Sequence, residues 1–235
     1  MQLFYNPDID KHTKELAFGR TESGHIIRVL RKKQGDILEI TNGNGLLATA
    51  VITIASDKKC IAQVTEIETK KKLNENKLHI AIAPTKSNER FEWFLEKATE
   101  IGIDEITPLI CDHSERTVYK TERGAKIIEA AAKQSLKYYF PKLHEPMRFD
   151  DFLTFAFSGQ KFIAHCANDV DKIPLKEALK STDVLILIGP EGDFSQREIT
   201  TAKNNGFSAI NLGDSRLRTE TAGLVAVCTI VLNSS

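Results

Sequence analysis

The 235-residue sequence predicts an α/β protein in two parts, a small β domain over residues 1–70 and a larger α/β domain over 71–235. Three observations carry that expectation. Short apolar runs separated by turn residues fill the first part; all periodicity is lost in the charged stretch TKKKLNENK at 69–77; beyond it, compact apolar runs alternate with segments of helical spacing. A chain of this length can build one large core or two modest ones, so the compositional break at 69–77 is what favours two.

Taken in order, GHIIRVLRKKQGD reads as a short helix ending near Gly35, with Ile27 and Leu30 on one face. DILEITNGNGLLATAVITI reads as strand, NGNG turn and strand, and KKCIAQVTEIE as a further strand. After the linker, LHIAIA at 78–83 is a strand, and SNERFEWFLEKATEIG a helix whose apolar stripe is Phe91, Phe94, Leu95, Ala98 and Ile101, stopped by Gly102. EITPLI is a strand and RGAKIIEAAAKQSL a helix. KFIAHC, VLILIG and FSAINLG are compact enough to be buried parallel strands. The helix between the last two opens on Ser195 and Glu198, the spacing of a capping box, and stops near Gly206.

Composition narrows the function classes. Lysine plus arginine equals aspartate plus glutamate at 32 each, so the net charge advertises no polyanionic partner and local clusters must carry any such affinity. Those clusters exist at Arg28–Lys33, at Lys70–Lys72 and across Arg116–Lys142. No apolar run approaches the ~20 residues that span a bilayer. The opening MQLFYNPDIDKHTKE has neither a basic leader followed by an apolar stretch nor a transit-peptide composition, so a cytoplasmic location is expected. The four cysteines stand more than fifty residues apart and the six histidines show no HxxxH or HExxH spacing, so no metal is expected.

Ligands of an open parallel sheet bind beyond the carboxyl ends of its strands. That rule selects three loops: His165 to Asn168 after KFIAHC, Gly189 to Phe194 after VLILIG, and Gly213 to Thr219 after FSAINL. In the second, GPEGDF, two glycines let the backbone approach a ligand closely; a tight strand-to-helix turn would use the same residues. The third runs from a polar cluster (Ser215, Arg216, Arg218, Thr219, Glu220, Thr221) straight into an apolar tail, which places charge at the rim of a core or an interface. No GxxxxGK[ST], GxGxxG or GxSxG is present, which argues against a P-loop, a standard dinucleotide fold and an α/β-hydrolase elbow.

LILIGPEGDFSQREI together with NLGDSRLRTETAGLVA resembles the paired motifs of the ribosomal small-subunit RNA methyltransferase E family, a SPOUT-type group that methylates N3 of a uridine in 16S rRNA. HIIRVLRKKQGD, PTKSNERFEWFLEKATEIGIDEITPLICDHSERTV and EAAAKQSLKYYFPKL extend the likeness over nearly the whole chain, in the family's order. Two positions depart from the pattern: MQLF lacks the arginine that commonly precedes the paired phenylalanines, and Lys137 stands where arginine is usual.

The resemblance implies a PUA-like β-barrel followed by a SPOUT domain tied in a trefoil knot, with S-adenosylmethionine bound in a bent form where the three loops meet. The implied cofactor positions are Ile188, Gly189, Gly192, Leu212, Leu217, Arg218 and Thr219. Arg218 would stabilise negative charge on the target base, and Glu191 or Glu220 would take the N3 proton. Arg28, Arg31, Lys86, Arg90, Arg116 and Lys137 would grip RNA phosphates on rRNA or the small ribosomal subunit, and the apolar tail would close a homodimer. The competing reading is a non-catalytic RNA-binding protein that uses the β domain and basic patches, its loops serving only as turns.

Overall fold

In a computed structural model, residues 2–72, 76–167, 172–180 and 183–233 are described. The chain divides into two compact units, one of residues 1–73 with 132–140 and one of residues 74–131 with 141–235. Part of the 69–77 linker and Asn168, the last residue of the first selected loop, lie outside the described residues.

The first unit holds β1 (Leu3–Tyr5), β2 (Glu15–Ala17), α1 (Arg20–Gly24), which continues as a π-helical turn over His25–Val29, then β3 (Ile37–Thr41), β4 (Leu46–Ile54) and β5 (Ile61–Thr69). They form one curled sheet in the order β1-β3-β4-β5-β2, antiparallel except for β1 beside β3. It is a half-barrel and not a closed barrel, because β1 and β2 remain at opposite edges. The NGNG turn behaves as its composition requires: Gly43 and Gly45 take φ of 72° and 90°, and the Asn42 side chain accepts from the N–H groups of Asn44 and Leu46.

The helix expected to reach Gly35 ends sooner. Arg31 adopts a φ of 55°, which breaks the helical path, and the buried residue is Ile26, with Ile27 and Leu30 only packed at the margin of that core. Segment 132–140 also joins this unit. Tyr139 forms a bridge with Asn44, donates its hydroxyl to the Lys70 carbonyl, and would clash with any Cβ at Gly45.

The second unit is a parallel sheet. Its strands are β6 (Leu78–Ile82), β7 (Glu105–Ile110), β8 (Lys142–Leu143), β9 (Met147–Arg148), β10 (Gln160–Ala164), β11 (Ile173–Pro174), β12 (Val184–Ile188) and β13 (Ser208–Asn211). The order is β11-β13-β10-β12-β6-β7-β8, with β9 also on β7, and every pairing is parallel. Its helices are α2 (Asn88–Ile101), α3 (Thr121–Gln134, whose last turn belongs to the first unit), α4 (Phe149–Phe152), α5 (Leu175–Ala178), α6 (Gln196–Asn204) and α7 (Thr219–Asn233).

Strands β6 and β12 are buried along their whole length, the signature of a sheet covered on both faces. One face carries α2 and α7 over Ile80, Ile82, Ile186 and Ile188; the other carries Phe149, Phe152, Phe194 and Ile199 over Ala81, Leu185 and Leu187. Of the stripe read from α2, Phe91, Phe94, Leu95 and Ala98 are fully buried, each large side chain contributing roughly 1.5–3 kcal/mol. Gly223 lets α7 lie against α2: a Cβ there would stand 2.7 Å from Phe94 and from Ile82.

Candidate active site

The carboxyl ends of β10, β12 and β13 open into a cleft. Its larger lobe, about 620 Å³, is lined from all three selected loops, by Ala164, Cys166, Asp193, Leu212, Gly213 and Leu217 among others. A second lobe of about 270 Å³ adds Ile188, Gly189, Pro190, Glu191, Arg218 and Thr219, and shares Cys166, Asp193, Arg216 and Leu217 with the first. Three segments far apart in sequence meet because β12 and β13 both pair with β10, so their ends are neighbours.

Side chains tie these loops together. Asp193, held at a φ of 64°, accepts from the backbone N–H of Cys166 at 2.8 Å with one oxygen and from that of Phe194 at 2.9 Å with the other. Lys172 donates to the carbonyls of His165 and Ala167, at 3.1 and 2.7 Å. The Thr219 hydroxyl donates to the Gly189 carbonyl at 3.1 Å. That last bond places the start of α7 at the end of β12, although β13 lies on the far side of β10. Residues 212–218 therefore cross the end of β10 to reach it.

Ile188, Gly189, Leu212, Leu217, Arg218 and Thr219 all line the cleft. A Cβ at Gly189 would come within 3.0 Å of the Phe194 ring and 3.2 Å of its backbone nitrogen, so the wall is as close as a glycine allows. Gly192 borders neither lobe. It packs on His113, whose Nδ1 lies 3.1 Å from both the Gly192 and Asp193 carbonyls. Glu191 lines the smaller lobe while one carboxylate oxygen accepts from the Lys86 backbone N–H at 3.0 Å.

A neighbouring depression of about 310 Å³ is lined by Glu89, Arg90, Trp93, Arg218, Glu220 and Thr221. Arg218 borders both it and the cleft. Glu220 is nearly buried, and Arg90 Nε stands 4.0 Å from its carboxylate.

The six cations read as phosphate contacts serve unequal purposes. In the first unit Arg28 is exposed and paired with Asp57, Arg31 is exposed, and Lys137 is half-buried, its ammonium pushed down from the usual lysine range by burial. In the second unit Arg116 donates to the carbonyls of Thr85 and Lys86 at 3.1 and 2.6 Å, a clamp on the loop before α2. Lys86 is exposed and paired with Glu115 at 2.8 Å; Arg90 is exposed beside Glu220.

The sequence selects Cys166 and Asp193 only as members of their loops, and it does not select Lys172 or Trp93. Asp193 carried a signal in the GPEGDF loop, since an Asp after Gly readily takes positive φ and bonds nearby N–H groups. Trp93 is the sole tryptophan and falls off the apolar stripe of its helix, which marks it as outward-facing; it is 41% exposed.

Residues 71–231 match the model of an RNA methyltransferase domain, and residues 18–65 that of an RNA methyltransferase PUA domain. The ribosomal RNA small subunit methyltransferase E of Buchnera aphidicola is 32% identical, over 96% of this chain and 90% of that protein. Among solved structures, a "probable rRNA-methyltransferase" of Porphyromonas gingivalis superposes with a TM-score of 0.91 at 42% identity, covering 100% of this chain and 98% of the other. A Legionella pneumophila structure with bound SAM gives 0.86 at 30% identity, covering 97% and 96%.

Proposed function

The chain belongs to the ribosomal RNA small subunit methyltransferase E family of RNA methyltransferases, and on that premise we propose that it moves a methyl group from S-adenosylmethionine to N3 of a uridine in 16S rRNA. Its fold is the SPOUT-type α/β methyltransferase fold preceded by a PUA-like sheet domain; the crossing of residues 212–218 over the end of β10 is a pass that the trefoil knot of such a fold requires. The observation that carries the proposal is the two-lobed cleft with Arg218 bordering both it and a neighbouring depression.

The cleft suits a folded nucleoside. Its size falls within the range of small-molecule pockets, its walls come from small residues and main chain at Ala164, Cys166, Gly189 and Gly213, and Ile188, Leu212 and Leu217 supply apolar contact. Backbone N–H and C=O groups there can recognise a purine edge without long side chains. When bound, S-adenosylmethionine supplies a methyl group already activated on a sulfonium, so this chain's residues have to position, exclude water and manage one proton.

The depression beside Arg218 is the place for the extruded base, with Trp93 at its edge offering a stacking surface. Uridine N3 carries a proton that has to leave. Glu220, which lines the depression, takes it, and Arg218 stabilises the negative charge that then spreads over the base. Glu191 serves chiefly to hold the GPEGDF loop through the Lys86 N–H. Arg28, Arg31, Lys86 and Arg90 are exposed and suited to phosphates, whereas Arg116 and Lys137 are engaged or half-buried and act through the surfaces they shape.

We further infer a homodimer closed by α7. Along that helix Leu224, Val225 and Cys228 are half-buried and Leu232 is exposed, an apolar stripe on the side turned away from the core. No helix is long and apolar enough to cross a membrane among the described residues, and the reading places the protein with ribosomes in the cytoplasm.

Transfer of labelled methyl from S-adenosylmethionine to small ribosomal subunits, followed by nucleoside analysis, tests the activity and the N3 position together. Product at another atom rejects the uridine N3 assignment, and absence of transfer to subunit or free rRNA rejects the reading. Glu220→Gln is expected to lower the rate by about 10²-fold with little change in cofactor affinity.

A further inference from the structure

At the opposite, amino-terminal edge of the same sheet lie His79, Glu105 and His144. His79 and Glu105 are partners in the β6–β7 register, so their side chains leave the sheet on one face. His144 follows β8, and its backbone N–H is fixed to the Ile106 carbonyl at 2.8 Å. Glu105 Oε2 is 2.9 Å from His144 Nε2 and 3.6 Å from His79 Nδ1, and the donor atoms of all three residues lie within 4.8 Å of one another. Donors around a tetrahedral zinc ion stand about 3.3 Å apart, given bonds of about 2.0–2.1 Å to nitrogen and oxygen.

His79 is the informative member. Its side chain is fully buried, its Nε2 is 2.8 Å from the Thr107 hydroxyl, and its Nδ1 has no hydrogen-bond partner among the described residues. When Nε2 donates to Thr107, Nδ1 turns a bare lone pair towards a carboxylate oxygen. Two electron-rich atoms facing each other in a buried site repel unless a cation lies between them. A ligating imidazole is ordinarily oriented in this way, by a hydrogen bond at its other nitrogen.

We propose that His79, Glu105 and His144 form a binding site for a single zinc-type divalent ion that clips β6, β7 and the residue after β8 together at the edge of the sheet away from the cleft. Two imidazole nitrogens and one carboxylate oxygen are the donor set of a borderline cation. The His79 side chain is fully buried, which favours the neutral imidazole, the form that binds metal. Lys77 occupies only Oε1, at 2.8 Å, and Oε2 faces the two imidazoles; the ion would replace the hydrogen bond between His144 Nε2 and Oε2, now 2.9 Å long. Phe152 and Phe155 meet the His79 ring edge-on at 5.6 and 5.4 Å and keep water from that side. His144 and Glu105 are each partly exposed, which provides the route in and a place for a water as fourth ligand.

The test uses the full chain, stripped with a chelator and titrated with Zn²⁺ or Co²⁺ alone. One equivalent should bind, Co²⁺ should give the visible absorption of a four- or five-coordinate ion, and saturating Zn²⁺ should raise Tm by about 5 °C. His144→Gln, and independently the isosteric Glu105→Gln, should weaken binding at least about tenfold while circular dichroism stays native. The proposal is overturned by absence of uptake in the unaltered protein, or by uptake that both variants retain at full affinity, which would locate the ion elsewhere. Neither outcome bears on methyl transfer, because the readouts require no cofactor or RNA.

Discussion

The two edges of the large parallel sheet, each shaped by a different set of its strands, are built in opposite ways. At the carboxyl edge β10, β12 and β13 end in loops that present main chain, small residues and a few charged side chains around open space. At the amino edge β6 and β7 begin in a tight cluster of His79, Glu105 and His144, walled by Phe152 and Phe155. The difference shows where a sheet of this kind can accept change. Loops joined by single hydrogen bonds, such as that from the Cys166 N–H to Asp193, hold a shape without filling it, whereas side chains locked by register and aromatic packing leave space for an ion at most.

Four substitutions break or sharpen this contrast. Phe152→Ala strikes the packed edge: Phe152 is fully buried, and its loss should cost about 3–5 kcal/mol in denaturant unfolding. The protein that remains folded should bind S-adenosylmethionine within about twofold of normal; a large loss of affinity would show that the two edges are coupled. Arg218→Ala strikes the open edge and should do the reverse, lowering methyl transfer by about 10²- to 10³-fold with a melting transition that barely moves. A variant that transfers normally would remove Arg218 from the charge-stabilising role.

Gly189→Ala tests how closely the cleft wall approaches its ligand. The new methyl meets the Phe194 ring and backbone nitrogen at 3.0 and 3.2 Å, so a destabilisation of about 1–3 kcal/mol and weaker cofactor binding by calorimetry are expected together. Stability lost with affinity intact would mean that the wall yields away from the cleft. The smallest effect belongs to Ser195→Ala. Ser195 caps α6 in a reciprocal box with Glu198 and also bonds Asp112 at 2.6 Å, and its removal should cost about 1 kcal/mol, read as a lower Tm with unchanged transfer.

The carboxyl-edge site is partly legible in the sequence. The rule that ligands sit beyond parallel strand ends selected the three loops that meet, and the apolar runs of β6, β10, β12 and β13 were visible as composition. Gly189 and Gly192 look alike in sequence, yet Gly189 borders the cleft while Gly192 borders neither lobe and packs on His113. Lys172 is not legible in sequence because it acts through the His165 and Ala167 carbonyls, and Asp193 is legible only as part of its loop because its partner, the Cys166 N–H, is brought in by the fold. The amino-edge cluster was invisible to a search for HxxxH or HExxH, which looks along one helix, whereas His79, Glu105 and His144 come from three segments spread over 66 positions.

Local chemistry therefore settled what is local: the NGNG turn, the Ser195–Glu198 cap, the buried stripe of α2 and the covered strands all follow from the short-range preferences of a few consecutive residues. Strand order, the crossing of residues 212–218 over β10, the return of 132–140 to the first unit and the meeting of two histidines with a glutamate were decided only in three dimensions. The physical reason is that pairing between distant strands depends on the burial of whole faces. No window of sequence contains the residue on the other side.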